Sequence, residues 1–151
     1  MRIAASALIL TLAGCGGGGN PTPDAGTETC VLDNRGETYQ PGMQQAGMNK
    51  LFTVKLLDSN PGPPVKGTNT WMIAVADAGG APVPGATITV VPFMPDHGHG
   101  SPIKVAVTDQ GGGQYQLAPL YLFMAGIWQI TINITANNMT DQSVFYFCIE
   151  G

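Results

Sequence analysis

From residue 51 onward the chain repeats one pattern: apolar and polar residues alternate over short runs, and each run ends in a cluster of glycine, proline, asparagine or aspartate. Alternation with a period of two puts every second side chain on one face of an extended strand, so one face can be buried and the other wetted. Trp128, Ile130, Ile132 and Ile134 interleave with Gln129, Thr131, Asn133 and Thr135. Trp71, Ile73 and Val75 do the same within residues 70–76, and residues 87–93 are β-branched nearly throughout. Further candidate strands cover residues 51–57, the face made by Ile103, Val105 and Val107 opposite Lys104, the short run with Tyr115 and Leu117, and residues 144–149 with Phe145, Tyr146 and Phe147. The breaks between them, Asn60-Pro61-Gly62-Pro63-Pro64, Asp77-Ala78-Gly79-Gly80 and Asp109-Gln110-Gly111-Gly112-Gly113, are turn chemistry.

No stretch carries a helical stripe, and with 21 glycines, 12 prolines and 11% charged residues in 151 the chain is too heavily punctuated for a helical bundle. Hydrophobic content of 44% is enough for a packed core. About seven short strands at this spacing predict an all-β fold, an immunoglobulin-like antiparallel β-sandwich of one domain over residues 30–151, with Trp71 and Trp128 as core aromatics. The formal net charge is −4. Nucleic-acid binding needs a basic face, which this composition does not supply.

The first 14 residues are an address rather than part of the fold. Met1-Arg2 precedes an apolar run that is too short to span a bilayer and ends in Leu12-Ala13-Gly14-Cys15. The small residues before cysteine resemble a bacterial lipobox, which implies cleavage after Gly14 and lipidation of Cys15. Residues 15–29, rich in glycine and then Asn20-Pro21-Thr22-Pro23, read as a tether. The expected location is the bacterial cell envelope, anchored to the membrane through lipid. Gly16 after the cysteine favours the outer membrane over the inner one.

Two cysteines remain, Cys30 and Cys148, at the two ends of the folded part. An even pair in an exported chain suggests a disulfide that staples the N-terminal segment to the last strand. The competing reading makes one of them a copper ligand.

Both histidines fall in Met94-Pro95-Asp96-His97-Gly98-His99-Gly100-Ser101. His-x-His sets two imidazoles on one side of an extended segment, and the glycines let the loop bend. Met94 lies just upstream and Met124 sits in Leu122-Phe123-Met124-Ala125-Gly126. Two imidazoles with thioether sulfur make a borderline-to-soft ligand set that suits copper, Cu(I) above all. Zinc and calcium fit less well, with Asp96 the only carboxylate in the loop. The residues equally allow a polar turn with two core methionines. Met43 and Met48 form a second methionine pair that either relays copper or covers a core edge. No nucleophile-base arrangement, phosphate loop or CxxC is present, so the chain is expected not to be an enzyme.

Four stretches resemble the YtkA-like, or FixH-like, family of small exported β-sandwich domains. They are Pro63-Pro64-Val65-Lys66-Gly67-Thr68-Asn69-Thr70-Trp71, Pro82-Val83-Pro84-Gly85-Ala86, the Met94-to-Gly100 loop, and Leu122-Phe123-Met124-Ala125-Gly126-Ile127-Trp128. The closing Phe147-Cys148-Ile149-Glu150-Gly151 is also similar to lipoprotein members. The resemblance spans residues 48–149 and implies an immunoglobulin-like fold outside the cytoplasm, with a role in copper handling linked to respiratory oxidase assembly. Carried onto this sequence, it marks Met94, His97, His99 and Met124 as the metal ligands, with a copper-receiving or respiratory-assembly protein as partner. Ala125 departs from the proline that members often carry. The alternative is an interaction or accessory module of the envelope without a metal role. The run from Asp77 to Ala86 is similar to generic surface domains, which use a sandwich only as scaffold.

Overall fold

The computed structural model describes Cys30 and residues 34–151. Nine strands form two antiparallel sheets: β1 (Gln44–Ala46), β2 (Phe52–Asn60), β3 (Gly67–Asp77), β4 (Thr87–Met94), β5 (His99–Gly100), β6 (Ala106–Gly111), β7 (Gln114–Leu122), β8 (Gly126–Ala136) and β9 (Met139–Ile149). One sheet has the order β1-β2-β3-β7-β6 and the other β5-β4-β8-β9. The result is an all-β sandwich, as the alternation predicts. Seven of the strands match the expected runs, and the two extra ones are β1 and β5, of three and two residues. Neither is long enough to show a period in sequence, and each exists only because a long strand lies alongside it.

The expected strand around Ile103 and Val105 starts later. β6 begins at Ala106, Ile103 is exposed, and only Val105 of the pair is buried. The short run at Tyr115 and Leu117 becomes a nine-residue strand. A bulge between Asn69 and Trp71 shifts its register against β3, so Leu117 and Leu120, three residues apart, both reach the core.

The core lies between the sheets. Trp71 packs edge-on against Phe145 and Phe147, with centroids 6.0 and 5.5 Å away. Opposite, Trp128, Ile130, Ile132 and Ile134 are all fully buried. Tyr115 ties the β3–β4 connection to this core: its hydroxyl donates to Val83 O at 2.6 Å and accepts from Ala86 N at 2.8 Å.

The free edge of β9 is closed by the N-terminal segment and β1, and its fixing point is Asp141. This buried carboxylate accepts the backbone N–H of Asn49 (2.9 Å), Leu51 (2.8 Å), Phe52 (3.3 Å) and Gln142 (2.8 Å). Gly47 makes room for it. A Cβ there would run into the carboxylate itself. Gly47→Ala is therefore expected to cost about 2 kcal/mol, as overpacking typically does. In an Asp141→Ala background the same change should cost under about 0.5 kcal/mol, a coupling that denaturant melts of the four proteins will measure.

Candidate metal centre

Strand register brings one end of the sandwich together. Gly67 of β3 pairs with Leu122 of β7, Phe93 of β4 with Gln129 of β8, and Ile127 of β8 with Cys148 of β9. The end of β4, the β7–β8 turn and the end of β9 therefore share this end, and the histidine loop is here too. The loop is a hairpin between β4 and β5, closed by the N–H groups of His97 and Gly98 donating to Met94 O at 3.2 and 2.9 Å. Gly98 takes a φ of +67°, which a residue with a Cβ adopts only at a cost. Ser101 N donates to Pro92 O at 3.1 Å, and a Cβ on Gly100 would come within 2.9 Å of the same oxygen.

The hairpin sets the two imidazoles side by side, with ring centroids 5.5 Å apart and planes at 51°. A metal–nitrogen bond of about 2 Å places an ion roughly 3 Å from a ligating ring's centroid. A separation of 5.5 Å lies within the span that two imidazoles on one ion occupy. His97 is exposed and His99 half-buried. His99 stacks on Phe123, with centroids 5.4 Å apart and planes at 27°. Its Nδ1 is buried and has no hydrogen-bond partner. A buried polar nitrogen left unsatisfied is costly, as is the indole N–H of Trp71 in the core, and a bound ion is one way to satisfy the imidazole.

Met94 is the cross-strand partner of His99. Directly opposed residues of an antiparallel pair project to the same face, with Cβ atoms about 5 Å apart. Met94 is fully buried at the end of the core. Met124 follows the stacked Phe123, is half-buried, and packs against the same core. Its carbonyl accepts Trp128 Nε1–H at 2.9 Å, which fixes the turn, and Trp128 meets Phe123 edge-on at 5.6 Å. The structure thus brings His97 and His99 together, sets Met94 on the face of His99, and positions Met124 one residue past the ring on which His99 stacks.

The Asp96 carboxylate accepts from Arg35 Nη2 at 2.6 Å. Of the second methionine pair, Met43 covers a core edge. Met48 is 74% exposed and donates its N–H to Gln142 O of β9, toward the opposite end of the sandwich. Sequence reasoning missed Phe123 as the stacking partner of His99 and Arg35 as the partner of Asp96. The first had a signal in its place beside Met124. The second had none, because 61 residues separate the pair.

Cys30 and Cys148 are joined as a disulfide, with Cα atoms 5.5 Å apart and a sequence separation of 118. Cys15 lies outside the described residues. Among the described residues no three His, Cys, Asp or Glu side chains converge.

No curated protein and no solved structure matches the chain. A model of the YtkA-like family matches residues 48–133, which include the hairpin, Met124 and Trp128 but not β9. That match covers more than half of the 151 residues. The chain belongs to the YtkA-like family.

Proposed function

We propose that this protein is a non-enzymatic, lipid-anchored copper-handling domain of the bacterial envelope. His97 and His99 supply imidazole, and Met94 and Met124 supply thioether sulfur. The observation that carries this reading is the unpartnered, buried Nδ1 of His99 beside a second imidazole and opposite Met94. Thioether with imidazole favours Cu(I), which accepts low coordination numbers and exchanges ligands readily. His97, on the exposed side, would meet a partner first, and the ion would pass through an intermediate shared between donor and acceptor ligands. In this reading Cys15 carries the lipid and residues 15–29 form the tether. The acceptor is a copper-receiving or respiratory-assembly protein.

The test is a Cu(I) competition titration of the purified protein against a chromophoric chelator, beside the His97→Ala/His99→Ala variant. One equivalent bound tightly and weakened at least about a hundredfold in the variant is expected, beyond the ten- to hundredfold that supporting residues cost. Equal, weak binding by both proteins would sink the metal reading. A second reading, an interaction module without metal, draws on the open side of the sandwich between β4 and β6. A groove of about 560 Å³ runs there, lined by Ile88, Val90, Val105 and Val107 with Lys104 at its rim. In that case the double variant would keep its membrane partner in pull-downs.

A further inference from the structure

β4 is the edge of its sheet for most of its length. Its edge-side neighbour β5 is two residues long and pairs only with Phe93 and Met94. The reason is topological. After Gly100 the chain leaves this sheet and crosses to the other one as β6, so the line that β5 starts is not continued beside residues 87–91. Pro92 O and Met94 O both face this edge, where they accept from Ser101 N at 3.1 Å and Gly98 N at 2.9 Å. In an extended strand every second residue turns its N–H and C=O to the same side. The N–H and C=O groups of Ile88 and Val90 therefore face the open edge too. Among the described residues no backbone group pairs with them there.

This edge has the make-up of a strand that takes up another. Thr87, Ile88, Thr89, Val90 and Val91 are all β-branched and uncharged. Native sheets blunt such edges with charge, proline or a bulge. β6, across the groove, is blunted in that way by Asp109 and a bulge between Asp109 and Gly111. β4 has only Pro92, at the end that the hairpin already covers. The groove of about 560 Å³ lies between the two edges. Ile88, Val90 and Val105 are buried along it, and Val91 is 49% exposed at its lip. Among the described residues Lys104 is the only charged side chain that lines it. Lys104 is exposed and has no ion pair among those residues.

We propose that β4 takes up an extended segment of a partner protein as an added strand, with apolar side chains at alternate positions and a carboxylate set against Lys104. Main-chain bonds to Ile88 and Val90 hold the segment, and the apolar groove and Lys104 select it. A second copy of this chain fits less well. A two-fold axis near Thr89 and Val90 would bring both copies of Lys104 to one groove, and like charges repel. Residues 15–29 of this chain hold no valine, isoleucine, leucine or aromatic residue to fill the groove. Met94 lies four residues beyond Val90 on the same strand, about 13 Å along it, so a docked partner is held beside the histidine hairpin. The proposal needs no ion. It deepens the interaction reading, on whose groove it rests, by naming the partner's chemistry.

The probe is a blocked hexapeptide with valine at alternate positions and one glutamate between two of them, titrated into ¹⁵N-labelled, metal-free protein. The amide signals of Ile88, Val90, Lys104 and Val105 should move, and hydrogen exchange at Ile88 and Val90 should slow, while β2 and β9 keep their spectra. Methylating the peptide nitrogens of one alternate set should weaken binding at least about tenfold, and methylating the other set should leave it nearly unchanged. Lys104→Glu, at an exposed position, should weaken binding about fivefold, and a peptide with lysine in place of glutamate should restore it. No shift at the β4 edge with about 1 mM peptide would overturn the proposal. So would equal binding by both methylated peptides, which would reduce the groove to an apolar patch. A dimer of the free protein in sedimentation, with the same edge signals changing on dilution, would put a second copy in the groove and overturn it as well. The pull-down with His97→Ala/His99→Ala tests the interaction reading separately. A membrane partner kept there while the peptide fails to bind would move that partner to another face and end this proposal alone.

Discussion

Replacing Asp141 with alanine lowers the stability of the protein by about 3 kcal/mol, because it leaves buried backbone N–H groups unsatisfied. Four backbone N–H groups, that of Phe52 fully buried, converge on this one carboxylate, from Asn49, Leu51, Phe52 and Gln142. For a domain of this size the midpoint of thermal unfolding should drop by roughly 10 °C. Asp141→Asn keeps the shape but turns an amide NH₂ toward donors, so it should cost nearly as much. Acid reveals the same group. Burial pushes the Asp141 pKa up, but the N–H groups of Asn49, Gln142, Leu51 and Phe52 together outweigh it and hold the carboxyl below its ordinary value. A folded pKa below the unfolded one gives stability that is fully present above the unfolded value of about 3.9 and is lost as pH falls through the folded value. Urea melts from pH 7 to pH 3 should show a steeper loss in the wild type than in Asp141→Ala. Parallel curves would mean that folding leaves the Asp141 pKa unshifted.

Trp128→Ala removes a fully buried side chain at the candidate site and should cost about 4 kcal/mol, in the range of large aromatic truncations. Trp128→Phe separates packing from hydrogen bonding. It keeps an aromatic edge for Phe123 but loses the 2.9 Å bond from Nε1–H to Met124 O. Losing that bond should cost about 1 kcal/mol. The larger effect expected of Trp128→Phe is on the site, since the Phe123–Met124 turn is no longer fixed and His99 stacks on Phe123. In the copper reading, Trp128→Phe weakens Cu(I) binding about tenfold while the protein stays folded at 25 °C. A stable variant with unchanged affinity would remove Met124 and its turn from the site.

Alternation makes the long strands legible from the residues alone. Trp128 to Thr135 can pack in only one way, because a shift of one residue would turn every isoleucine to water. The turns are equally plain, since glycine, proline and aspartate punctuate the chain for local reasons. The His-x-His octapeptide stands out as a chemical oddity in a chain with no other histidine. The disulfide follows from cysteine number once the chain is taken to be exported.

Other features depend on contacts between residues far apart in the chain. β5 is two residues that read as loop until β4 lies beside them. The bulge in β7 against β3 brings both Leu117 and Leu120 inward, which alternation alone forbids. Asp141 reads as an ordinary turn-side acid, and three of its donors come from about 90 residues away.

Local periodicity and local chemistry are therefore enough for the two-sheet class, the positions of the long strands, the likeness to the YtkA-like family and the residue types at the candidate centre. They do not reach the contacts that build that centre. That Met94 faces His99, that Phe123 lies under the imidazole, that Arg35 holds Asp96, and that Gly36 lies against Ile127 beside the disulfide are all consequences of the folded arrangement. Those contacts are set by strand order and register, which arise from packing two sheets into one core and leave no periodic trace along the chain.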